Sequence, residues 1–282
     1  MSQDYFLQNT QQRESLQNLY RDGLLLDTLP FWLQNCVDHE NGGFTFCLNR
    51  DGTVLDTDKG IWTHGRFIWL LSTLYTQVEP KKKWLKLAKH GIDFLKKYGF
   101  DEDGRMFFMV TQNGEPIRKR RYIFSEAFTV AAFAAYAKAS GELHYQKEAE
   151  SLFDNMQKLL NEPGLLPPKL IEETRKVKGL AVPMIMIVTA QILRESSMNQ
   201  DFCNQVIDHS IEAIERDFLK PEFKAVLETV GHNGEFLDHF DGRMLCPGHA
   251  IEAAWFILNE SIYRNHDKKL RELGLTILDW ML

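Results

Sequence analysis

The sequence runs to 282 residues, 44% apolar, 26% charged and 12% aromatic, with a formal net charge of −6. That length allows a substantial core, and the mild acidic balance excludes the clustered basic excess that nucleic acid or an anionic membrane surface requires. The basic runs at 81–83 and 118–121 are short and read as solvated edges. The first ten residues are polar and carry no signal core, and no stretch has the apolar length of a membrane span. Four cysteines, Cys36, Cys47, Cys203 and Cys246, show no CxxC spacing and read as reduced core thiols of a cytoplasmic protein.

In chain order, an opening helix over about 14–36 leads to a hairpin at 43–56, marked by Asn41-Gly42-Gly43 and Asp51-Gly52. A helix apolar on nearly every side follows at 61–75. The next has one apolar face, carried by Trp84, Leu87, Ala88, Ile92 and Leu95. The unit then recurs with a hairpin at 104–123 turning at Asn113-Gly114 and an apolar helix at 127–139. Its amphipathic helix runs through Tyr145, Ala149, Leu152, Met156 and Leu159. A third unit has an irregular excursion at 164–178 with Pro167-Pro168, then an apolar helix at 180–193. Val206, Ile207, Ile211, Ile214 and Phe218 mark its amphipathic helix. The fourth has a hairpin at 224–244 turning near Asn233-Gly234, an apolar helix at 250–258 and an amphipathic end at 273–282.

Starts about sixty residues apart mark a repeat architecture. Buried helices ringed by amphipathic ones predict an all-α toroid, one domain over 1–282, with short β-hairpins between helix pairs. Nine helices fall short of the twelve in a closed six-hairpin ring. The expectation is therefore a toroid incomplete at its C-terminus, by on the order of 100 residues.

Cys246-Pro247-Gly248 opens the fourth apolar helix, so His249 falls in the first turn and Glu252 follows on the same face. Amid Ala250, Ile251, Ala253 and Ala254, the pair reads either as a general base tuned by its neighbour or as a structural brace. Arg66 stands in an apolar segment between Trp62 and Trp69. A buried guanidinium needs an anion, a polarised oxygen or a carboxylate such as Glu126. Tyr122 and Glu126 open the second apolar helix, where Ser125 reads as the cap and Glu126 suits the helix dipole. His232 and His239, seven apart in a loop, match no metal pattern and read as exposed and non-catalytic. No metal is expected. The sequence contains no Walker loop, GxGxxG, HExxH or GxSxG.

Gly248-His249-Ala250-Ile251-Glu252-Ala253-Ala254-Trp255-Phe256 resembles the helix motif of the N-acylglucosamine 2-epimerase family. Residues 62–66 with Trp69 are similar to that family's early arginine motif. Leu180-Ala181-Val182-Pro183-Met184 resembles the acylglucosamine branch, and lacks the asparagine-histidine-histidine cluster usual in the related cellobiose 2-epimerases. The resemblance implies an (α/α)6 barrel and reversible inversion at C2 of an N-acylated hexosamine, interconverting N-acetylglucosamine and N-acetylmannosamine through an enediolate. It casts His249 as one of two proton-transferring histidines, Glu252 as its partner and Arg66 as the stabiliser of oxygen charge. Trp62, Trp69, Tyr122, Glu126 and Met184 become substrate-binding positions. The second histidine belongs to the last inner helix, in the stretch the repeat count places beyond residue 282.

The chemistry implied needs no cofactor. No clear match to the nucleotide-binding loop of some members is found, which leaves nucleotide activation open. The expected partner is a small amino sugar, and an apolar edge where the ring does not close would allow a homodimer. Three alternatives stand beside this reading. One is an epimerase or isomerase of unmodified sugars such as mannose. Another is an inverting glycoside hydrolase using Glu126 and Glu252. The third is a non-catalytic sugar-binding toroid.

Overall fold

The computed structural model describes residues 10–120, 122–167, 171 and 174–282. The polar residues 1–9, Arg121 and Pro168 named above lie outside them. The chain enters through α1 (Thr10–Asp22), a π-helical stretch (Gly23–Thr28) and α2 (Leu29–Asn35), which run on without a break. Inner and outer helices then alternate. Inner α3 (Ile61–Gln77) is followed by outer α4 (Lys82–Tyr98), and inner α5 (Phe124–Ser140) by outer α6 (Leu143–Asn161). Inner α7 (Ala181–Arg194) precedes outer α8 (Gln200–Ala213), which a second π-helical stretch (Ile214–Phe218) extends. After the one-turn α9 (Phe240–Arg243) come inner α10 (Pro247–Tyr263) and outer α11 (Lys268–Met281).

Each inner helix packs on the next, α3 on α5, α5 on α7 and α7 on α10, and each is backed by its outer helix. The side chains dictate this arrangement. α5 is lined with alanines, and Ala127, Ala131, Ala132, Ala134 and Ala137 are all buried, so neighbouring backbones come close. The tightest approach is at Gly65, where a Cβ would stand 2.6 Å from the Phe128 carbonyl oxygen. The outer helices bury one stripe only. In α4 it is Trp84, Ala88, Ile92 and Leu95, and in α6 Tyr145, Ala149, Leu152, Met156 and Leu159. Asp267 caps α11 by accepting the Leu270 N–H at 3.0 Å.

The excursions between helix pairs meet one another. β1 (Cys47–Leu48) pairs with β2 (Val54–Asp56) in the first hairpin. β3 (Lys59–Gly60) then joins β4 (Phe107–Val110), which pairs in turn with β5 (Pro116–Lys119), so the first two excursions share a sheet. β6 (Val177–Gly179) pairs antiparallel with the distant β9 (Thr229–Gly231). Before β9, β7 (Leu219–Lys220) and β8 (Ala225–Val226) form their own small hairpin.

This corrects the expected fourth hairpin at 224–244. Asn233-Gly234 does turn the chain, with Gly231 N–H bonded to Glu235 O at 2.9 Å, but β9 takes its partner from the third excursion. Backbone donors and acceptors have to be satisfied, and β6 has no partner among the described residues of its own excursion. Ser125 is likewise not a cap. α5 starts at Phe124, after the buried Ile123, and Ser125 is buried inside the first turn. Burial of Ile123 fixes the entry of the chain. Among the described residues no helix is long and apolar enough to cross a membrane.

Candidate active site

The four inner helices share one cleft of about 530 Å³, lined among others by Trp69 and Thr73 of α3, Ala135 of α5, Val188 of α7, and Trp255 and Phe256 of α10. Helical periodicity carries those stripes toward the helix N-termini. On α3, positions three and seven before Trp69 and Thr73 meet at Arg66. On α5, seven before Ala135 is Phe128. On α7, four before Val188 is Met184, and on α10, three before Trp255 and seven before Phe256 are Glu252 and His249. Seven residues of helix rise about 10 Å. Arg66, Phe128, Met184, Glu252 and His249 thus continue these stripes toward the N-terminal ends of the inner helices, which form the mouth. Trp69 lines the cleft, whose lining runs on to Gln77, Arg194 and Tyr263 at the opposite helix ends.

On one side of that mouth stands a wall of rings and guanidinium groups. Trp62 meets Phe108, Phe124 and Phe128 at ring-centre distances of 5.2, 6.2 and 6.1 Å. Tyr122 lies 5.1 Å from Phe124. Arg66 sits over Phe128 at 4.3 Å and over Trp62 at 5.6 Å, and Arg120 covers Phe108 at 4.5 Å. Arg66 is exposed, not buried, and its planar charge rests on π faces instead of a carboxylate. Among the described residues it makes no hydrogen bond or ion pair, which leaves its donors available to an oxygen.

Glu126 is not available to Arg66. It is fully buried, accepts from Arg105 Nε at 2.7 Å and from the Met106 N–H at 3.1 Å, and so pins the second hairpin to α5. Its Oε1 thus serves a framework ion pair, while its buried Oε2 has no hydrogen-bond partner among the described residues. Met184 is also buried in the core, so any contact with a ligand would be through its edge.

On the other side His249 holds one partner, and it is not Glu252. Nδ1 of His249 lies 3.0 Å from each carboxylate oxygen of Glu228, while Glu252 is exposed and makes no hydrogen bond or ion pair among the described residues. The pairing of β9 with β6 continues one step further, through Leu180 N–H to Glu228 O at 3.0 Å. That bond fixes Glu228 at the start of α7, beside the start of α10. A carboxylate only accepts, so Nδ1 carries the proton and Nε2 of the neutral ring presents a lone pair. Sequence reasoning missed Glu228 because its proximity depends on a strand pairing some fifty residues long in sequence. His232 and His239 are exposed, as expected. Cys36 and Cys203 are buried, and burial pushes their thiols up to about 12 and about 11. Cys47 is exposed and Cys246 half-buried, so only two of the four are core thiols.

Comparison with known proteins places this geometry. The family model for N-acylglucosamine 2-epimerase (GlcNAc 2-epimerase) matches residues 42–273. The N-acylglucosamine 2-epimerase of Rattus norvegicus is 34% identical over 277 residues, covering 92% of this chain and 64% of the relative. That of Homo sapiens is 34% identical over 276 residues, covering 92% and 62%. The chain thus spans under two thirds of the length of these curated relatives. The cellobiose 2-epimerase of Bacillus thermoamylovorans B4167 superposes with a TM-score of 0.82 at 22% identity, over 94% of this chain and 71% of that one. The alternating helices are therefore those of an α/α barrel. With the family model matching from the first hairpin into the start of α11, the chain belongs to the N-acylglucosamine 2-epimerase family.

Proposed function

We propose that this chain carries the substrate mouth and one proton-transfer arm of an N-acylglucosamine 2-epimerase, acting on N-acetylglucosamine and N-acetylmannosamine. The observation that carries the reading is His249 in the first turn of α10 with its Nδ1 held by Glu228, which leaves Nε2 without a partner among the described residues. The reaction breaks the C2–H bond of the open-chain sugar. Nε2 takes the proton, and the electron pair of the C2–H bond forms the C1–C2 double bond as the C1 carbonyl pair moves onto oxygen, leaving an enolate. Return of a proton to the opposite face gives the epimer. Glu228 stabilises the imidazolium formed on the way, and Arg66 donates to the oxygen on which negative charge builds. Trp62 and Tyr122 offer ring faces to the sugar, and Glu252 an acceptor for one of its hydroxyls. The steps are proton transfers and take no cofactor. His249 serves one face of C2 in this scheme.

The test is proton NMR with N-acetylmannosamine in deuterated buffer, following loss of the C2 proton signal. The parent chain is expected to exchange, and His249→Ala to lose about 10²–10⁴-fold of the rate. Exchange in His249→Ala near the parent rate would remove His249 from the chemistry. The free cysteines support a reducing compartment, the cytoplasm. Exposed Leu19, Tyr20 and Leu26 on the opening helical segment support a homodimer, for which a monomeric mass on sedimentation would be the contrary result.

A further inference from the structure

The start of α10 holds a second chemistry. One ligand atom each from Glu228, Cys246 and His249 lie within 4.8 Å of one another, and all three residues are half-buried. Their type matters as much as their distance. Cys246 occupies the N-cap of α10, a position where serine, threonine, aspartate or asparagine would bond a backbone N–H. Its side chain makes no such bond, so the sulfur is uncommitted. Cys246 and His249 are the N-cap and third residues of one helical turn and point the same way. Glu228 is brought to them by the β6–β9 pairing and already touches the imidazole.

We infer that Glu228, Cys246 and His249 form a binding site for a thiophilic divalent cation of the zinc class. Zinc bonds to sulfur, nitrogen and carboxylate oxygen of about 2.0–2.3 Å place tetrahedral ligands about 3.3–3.7 Å apart. Nδ1 and the Glu228 carboxylate, 3.0 Å apart, need to open slightly, and the Cys246 sulfur to come in by up to about 1 Å, within the reach of side-chain rotation at a half-buried surface. Three protein ligands leave the fourth position to water. Binding displaces the Cys246 thiol proton to solvent. Coordination through Nδ1, the nitrogen against Glu228, leaves the ring's proton on Nε2. The cation would then disable the lone pair on which the proposed epimerisation depends, a consequence that rests on the reading of His249 above.

The experiment titrates the full chain, free of chelators and added thiols, with Co²⁺ and records its absorption. Expected are a near-ultraviolet thiolate-to-cobalt charge-transfer band and the intense visible bands of a four-coordinate ion. Cys246→Ser should lose the charge-transfer band, and His249→Gln should bind at least about 100-fold more weakly, since even outer partners of a ligand cost 10–100-fold. Cys47→Ser, which changes the exposed cysteine, should keep the band. Circular dichroism of each variant confirms that it is folded. A parent chain without the band, a band that survives in Cys246→Ser, or one lost in Cys47→Ser would overturn the site. One equivalent of Zn²⁺ should suppress C2 exchange in the parent and leave Cys246→Ser at its own metal-free rate. Absent exchange in the metal-free chain would instead count against the epimerase reading, and the cobalt spectrum would still decide the site.

Discussion

At the mouth, two carboxylates near one histidine have different tasks, and their surroundings separate them. Glu228 is half-buried and bonded to Nδ1 of His249, so it acts through the imidazole. Glu252 is exposed on the same stripe of α10 and holds no protein partner among the described residues, so it is left to solvent or to a ligand at the mouth. Glu228→Gln keeps an acceptor for Nδ1–H but removes the charge that steadies the imidazolium. It should lower the C2 exchange rate at saturating sugar about 10–100-fold with little change in KM. Glu252→Gln should chiefly raise KM. Steady-state exchange measured over a range of sugar concentration distinguishes the two, and the reverse pattern would exchange their roles. Nothing in the Gly248–Phe256 motif could separate them, because Glu252 sits at the ideal helical spacing from His249 and Glu228 has no spacing to it at all.

The element that sets the position of Arg66 is the crossing of α3 and α5. Gly65 has no side chain at the closest point, and Phe128, whose carbonyl oxygen fills that space, is also the ring beneath the Arg66 guanidinium. A methyl group at position 65 would meet a backbone oxygen at 2.6 Å and the Phe128 Cβ at 2.9 Å. Neither yields without shifting a helix. Gly65→Ala should therefore destabilise by about 1–3 kcal/mol in spite of alanine's better helix propensity, read as a lower denaturant midpoint. A midpoint equal to or above the parent's would mean that the helices are not held this close. The apolar periodicity of residues 61–75 made the helix legible, and Trp62 with Arg66 could be assigned to one face from spacing alone. That the arginine rests exposed on rings, while Glu126 serves Arg105, depended on which residues the second hairpin delivered.

Across the molecule, the joints between helix pairs are closed by carboxylates, and this sets its response to acid. The side-chain hydrogen bond from Arg216 draws Asp217 down to about 2, burial opposes it, and Lys178 of β6 adds to the lowering. Burial works against ionisation of Glu260, but Arg194, Gln191 and Arg264 outweigh it and hold the group below the usual glutamate range. These bonds tie α7 to α10. Asp38 is held low in the same manner: burial is outweighed by the Asn41 N–H, Lys59 and Gln112. A group whose folded value is depressed adds stability that is present above its unfolded value, about 4 for a carboxylate, and is lost as pH falls through the folded value. Unfolding free energy should thus be level above about pH 5 and decline from there toward pH 2. Asp217→Asn should start lower and decline less. An unchanged acid limb in that variant would count against the Lys178–Asp217 joint.

The sequence by itself determined the alternation of buried and amphipathic helices, the repeat, the family and the place of His249 in a first turn. The family came from the resemblance of its motifs, and the rest follows from local spacing, which 3.6-residue periodicity and glycine turns write directly into the chain. Only the tertiary structure decided that the third excursion pairs with the fourth, that Glu228 and not Glu252 holds the imidazole, and that Cys246 joins them. Partner choice between short strands carries almost no local signature, since β6 and β9 are three residues each, and it is settled by where the helices on either side deliver them.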